Sequence, residues 1–154
     1  MRMTQSDPTF FSASLSAGAI LAGFCATFLS FRIQREAGYY RSLDGNGKDA
    51  FSNLSHFTAS LLLLLLATLC TAVCGIVLPL LALIGSGPWI SPSMIVGGII
   101  GGLLLLAAYF VTELHHYKVF KFLKNDPEEW KREWPIAAAG VIGAAFCFWY
   151  FGLR

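Results

Sequence analysis

The chain has 154 residues, 56% of them hydrophobic and only 13% charged, with a formal net charge of +2. That charged share is about half the usual one for a soluble domain, and mean hydropathy is +0.63. The length suits one domain, the apolar balance excludes an ordinary soluble globule, and no patch for nucleic acid is visible along the chain.

Four apolar blocks, about residues 10–31, 57–84, 90–112 and 135–153, contain no ionisable side chain other than cysteine and tyrosine. Each is long enough for the roughly 20 helical residues that cross a hydrocarbon core. Without water to satisfy the backbone, such segments must be helical. The expectation is an all-α integral membrane protein, a single domain over residues 1–154. It folds as a four-transmembrane-helix bundle with helices 1 and 3 extended into the cytoplasm.

The first block differs from a signal peptide, because Asp7 offsets Arg2 and the apolar run exceeds the usual h-region. In "LAGFC", Phe24 stands where a lipoprotein cleavage site needs a small residue. Read as a retained helix, the block carries Ser12, Ser16, Ala19, Gly23, Ala26 and Ser30 at alternating steps of four and three. A 3.5-residue repeat of small side chains is a left-handed packing seam. With Thr27 beside it, the same line could also wall a narrow pore. Arg32 and Arg35 follow at the inner end, where a ring of positive charge would bias against cations. Sequence alone leaves pore lining, packing within the bundle and a face for another protein all open.

After the first helix, "SLDGNGKDA" is a turn cluster. It lacks the glycine and the bidentate glutamate of a calcium loop, and the upstream glycine of a phosphate loop. Cys25, Cys70, Cys74 and Cys147 all lie inside spans, where free cysteine usually serves as a small buried hydrophobe. The third span carries "VGGIIGG", in which Gly97/Gly101 and Gly98/Gly102 are two overlapping GxxxG pairs. The fourth has Ala139, Gly140, Gly143 and Ala144 on a comparable face. Such residues let helices approach closely in lipid, where hydrophobicity gives little preference for a neighbouring helix.

At the inner end of the third span, Glu113 and His116 make half of the ligand set of a di-iron bundle. They are weak metal candidates, a Glu–His hydrogen bond is the alternative, and no cofactor is expected. "TELHHYKVFKFLKND" is helix-compatible up to Asn125, and its lysines are placed to meet anionic lipid headgroups. "NDPEEWKREWP" restarts a helix, with Asp126 as cap and Pro127 in the first turn. It reads as a short interfacial helix leading into the fourth span. No nucleophile–base–orienter set is visible.

The segments 32–56 and 113–133 hold nine of the eleven Lys and Arg residues. The positive-inside rule therefore puts both in the cytoplasm and both termini outside, in a bacterial inner membrane. Trp89 and Trp149 then mark the outer interface, and Trp130 and Trp134 the inner one. Size and topology resemble those of the eicosanoid/glutathione membrane enzymes. "DAFSNLSHF" does not reproduce that family's acid–Arg–Asn glutathione signature, so no site residue carries over. The functional expectation is a homo-oligomeric channel or pore-like protein in the lipid bilayer, with the first span near the central axis. The alternatives are an accessory subunit that binds partners through glycine-rich faces and, third, a membrane enzyme.

Overall fold

In the computed structural model the backbone is described at residues 8–42, 47–85, 89–116 and 129–152, and side-chain surroundings at 8–34, 59–85, 89–114 and 133–152. Five α-helices occur among these residues: α1 (Pro8–Ser42), α2 (Gly47–Ala72), α3 (Leu78–Leu83), α4 (Pro92–His116) and α5 (Glu129–Gly152). A π-helical segment, Val73–Val77, joins α2 to α3 without a break. The four stretches long and apolar enough to cross a membrane are Pro8–Gln34, Ala59–Leu83, Pro92–Leu114 and Glu133–Gly152. The chain is thus an all-α, multi-pass membrane protein with four spanning helices.

Local chemistry sets the helix boundaries. Pro92 occupies the first position of α4, where its missing N–H costs nothing. Ser91 caps that helix, its Oγ accepting the Met94 N–H at 3.2 Å. At the other side of the turn, Gly85 has φ +72. It ends α3 in the left-handed conformation that glycine adopts without steric cost.

α1 runs past its span to Ser42, whereas the onward extension expected for α4 beyond His116 lies outside the described residues. Two local expectations change. α2 begins at Gly47, so the second half of the turn cluster is helical. Glu129 to Trp134 is not a separate interfacial helix but the first turns of α5, which continues through Pro135 into the span. Asp126 and Pro127 lie outside the described residues.

α4 packs along both α5 and α2, while α1 packs against α2, the π segment and α3. The larger core cluster joins Cys25 of α1, Leu63, Leu64 and Ala67 of α2, and Leu105 and Tyr109 of α4. A smaller cluster near the chain termini joins Phe11, Cys74, Leu78, Ile90 and Ile95.

Glycines decide how close these helices come. On α4, a Cβ at Gly97 would lie 2.7 Å from Phe151 Cβ, and one at Gly101 would lie 3.2 Å from the Ala144 carbonyl, both on α5. A Cβ at Gly98 would overlap the Cys74 side chain, and one at Gly102 would lie 2.6 Å from Thr71 Cγ2. The two overlapping GxxxG pairs therefore serve two different neighbours. On α5, Gly140 faces the Ala108 methyl, a Cβ there falling 2.6 Å from it, while Gly143 has only Leu104 Cδ1 at 3.7 Å. The tightest approach is between α1 and the π segment. A Cβ on Gly75 would lie 2.6 Å from Gly18 Cα, and one on Gly18 would overlap the Gly75 carbonyl.

Candidate functional site

Two features of the described residues stand out for function: a buried polar cluster at one end of the bundle, and an uncovered face of α1.

The cluster lies where the spans of α1 and α4 end and those of α2 and α5 begin. Arg32 from α1 is bonded there to Ser60 from α2 and Glu113 from α4, while Thr112 of α4 and Glu133 of α5 are buried polar residues at the same span ends. All are buried, with Arg32 at 4% exposure, Ser60 at 3%, Thr112 at 1%, Glu113 at 9% and Glu133 at 3%. Arg32 Nη1 is ion-paired with Glu113 Oε1, and its Nη2 donates to Ser60 Oγ at 3.0 Å. Thr112 Oγ1 donates to the Tyr109 carbonyl at 2.7 Å. The guanidinium fork, with five donors in a fixed plane, can join two helices at once. Here it connects α1 to α2 and to α4.

This placement revises the role expected for Arg32. It is not a free charge at an inner mouth, because its side chain points into the bundle and is neutralised there. The surroundings of the Arg35 side chain are outside the described residues. Glu113, read from sequence as a candidate ligand with His116, has a carboxylate oxygen engaged by Arg32, and the His116 side chain is not described. Among the described residues, no group of three or more His, Cys, Asp or Glu side chains could hold a metal ion.

The second feature is the line on α1. The residues of α1 that pack inside the chain are Phe11, Ser14, Gly18, Ala22, Cys25 and Arg32. Ser12, Ser16, Ala19, Gly23, Ala26, Thr27 and Ser30 are all exposed, on the nearly opposite side. At Gly23 an added Cβ would meet nothing within 4 Å. The Ser16 hydroxyl donates to the Ser12 carbonyl at 3.1 Å, and the Thr27 hydroxyl donates to the Gly23 carbonyl at 2.8 Å. These hydroxyls are satisfied by their own helix.

Cys25, Cys70, Cys74 and Cys147 are free thiols, Cys25 and Cys74 buried. Cys70 Sγ donates to the Gly98 carbonyl at 3.2 Å, tying α2 to α4. An open apolar groove of about 430 Å³ runs over Cys70 and Cys74, walled by Leu66 and Val73 on one side and Val141 and Phe148 on the other.

The polar cluster was not read from sequence, although a signal for it exists. Phe11, Gly18, Cys25 and Arg32 are spaced seven apart, so Arg32 continues the buried seam.

The fold and composition define a four-span integral membrane protein. No protein-family model, curated protein or solved structure matches the chain.

Proposed function

We propose that the chain acts as a homo-oligomeric, pore-like protein of the bacterial inner membrane, with α1 nearest the central axis. One observation carries this reading: the Ser12–Ser16–Ala19–Gly23–Thr27–Ser30 face is left uncovered by the described residues of its own chain, while a different face of α1 builds the bundle. Lipid gives such a face no packing advantage, whereas a second small-residue helix does. Several copies arranged around an axis bring these hydroxyl-bearing faces together as a narrow path. The excess of Lys and Arg in segments 32–56 and 113–133 sets the orientation, with both termini outside. Arg35 is the remaining inner-mouth charge, and the lysines after His116 meet anionic headgroups.

A second reading has its own support. Because Ser16 and Thr27 satisfy their hydroxyls within the helix, the face also suits a dry contact with a partner membrane protein. The protein would then be an accessory subunit.

Gly23→Leu separates these possibilities. The position is open among the described residues, so the variant subunit should fold with the helical content of wild type by circular dichroism. Native mass spectrometry from nanodiscs should show wild-type oligomers and Gly23→Leu monomers. Solute flux through liposomes that disappears with the oligomer supports the pore, whereas silent wild-type oligomers reject it. A wild type that stays monomeric at high protein-to-lipid ratio rejects self-assembly.

A further inference from the structure

The π segment in the second span supports an inference that does not depend on the pore reading. We infer that Val73–Val77 is a two-register hinge about which α3 turns relative to α2.

The cause of the segment is local. The Leu78 N–H bonds to the Val73 carbonyl, five residues back in place of the usual four. Pro79 comes next. It has no N–H to offer the Gly75 carbonyl, and its ring crowds that same carbonyl in an α-helix. Widening the turn relieves both problems. Such single π turns often mark functional positions.

Tightening the segment to α geometry would move the Leu78 N–H from the Val73 carbonyl to that of Cys74. That donor keeps a bond in either form, but the α register again leaves the Gly75 carbonyl without a donor and against the Pro79 ring, so the π register is the major form and the α register the minor one. They differ in rotation: one residue of α-helix corresponds to about 100° about the axis and about 1.5 Å along it.

The rotation falls on α3 because the other side is pinned. Upstream, Cys70 is bonded to Gly98, Thr71 packs against Gly102 of α4, and Ser60 holds Arg32. α3 has six residues and ends at Gly85. Its inward and outward side chains are all apolar. Leu78 and Pro79 are buried while Val77, Leu80, Leu83 and Ile84 are exposed. Turning by one residue exchanges Pro79 and Leu78 for Leu78 and Val77 in the core, and brings no polar side chain into or out of lipid. Directly opposite, Gly18 meets Gly75 backbone to backbone, with no side chains to interlock. Because Leu78 shares a cluster with Phe11 and Ile90, the motion reaches the first turns of α1 and the start of α4.

A fluorine probe tests this with all four cysteines in place. Ile84, exposed at the end of α3, is replaced by 4-trifluoromethylphenylalanine and observed by ¹⁹F NMR in nanodiscs. The same probe at Ile142, exposed on α5, reports unrelated heterogeneity. The hinge gives two exchanging resonances at Ile84 and one at Ile142. Pro79→Ala restores the missing donor and removes the ring contact, and moves the Ile84 populations toward the α form by at least about fivefold, the effect of one ordinary backbone hydrogen bond. Deleting Ile76, which takes the extra residue out of the turn, should independently collapse the pair to a single resonance. A single Ile84 resonance in wild type, or a pair that both changes leave unaltered, overturns the hinge. So does matching doubling at Ile142.

Discussion

Gly18→Ala will be far more damaging than its one added methyl suggests, and Gly18→Val will yield no native bundle. A Cβ at Gly18 overlaps the carbonyl and Cα of Gly75. Backbone atoms held in the second span cannot swing aside as a flexible side chain can. Overpacked cores usually lose about 1–3 kcal/mol, and a clash with main chain belongs at or above the top of that range. To escape it, α1 must lift off the π segment, taking Phe11 and Cys25 out of their clusters. Gly23→Ala is the control on the same helix. Its Cβ meets nothing within 4 Å, so it should stay within about 0.5 kcal/mol of wild type, as surface substitutions do. Thermal unfolding in detergent measures both. Equal stability of Gly18→Ala and wild type would remove the Gly18–Gly75 contact from any account of the fold.

That contrast also marks where sequence was informative. The spans were legible because the bilayer demands a long apolar run, and each of the four apolar blocks falls on a helix long and apolar enough to cross a membrane. Which face of α1 turns inward was not legible. The helix carries two small-residue lines with the same heptad period, one through Gly18 and Cys25, the other through Ser12, Ala19 and Ala26. Periodicity alone cannot rank them. What distinguishes them is the partner: Gly18 is matched by Gly75, and Arg32 by Glu113. Arg32 reads as an inner-mouth charge in sequence because it directly follows the last apolar residue of the first block. Its spacing from Cys25, equal to that of Cys25 from Gly18, was the better guide. The π segment left a trace in Pro79, but a proline in an apolar run signals a disturbed helix without saying how the chain resolves it.

Arg32→Met should be among the most destabilising changes at the polar end of the bundle, because it leaves the Glu113 carboxylate buried without its cation. Removing one member of a buried pair costs about 3–5 kcal/mol, mainly from the charge left behind. Glu113→Leu strands the guanidinium instead, with only Ser60 and any remaining neighbours to satisfy it, and should cost a similar amount. The double variant Arg32→Met/Glu113→Leu removes both charges together, and well-packed apolar replacements of buried pairs are often neutral or stabilising. Unfolding free energies of the four proteins form a cycle whose coupling term should be large and favour the pair. If the single losses simply add, the Arg32–Glu113 contact is not an energetic unit. The double variant carries a further distinction. Should it fold and assemble as wild type does, the pair serves only to fix the register of α1 against α2 and α4. Should it fold equally well yet lose liposome flux, the buried charges belong to the conduction mechanism, as ionisable groups kept inside a membrane domain commonly do.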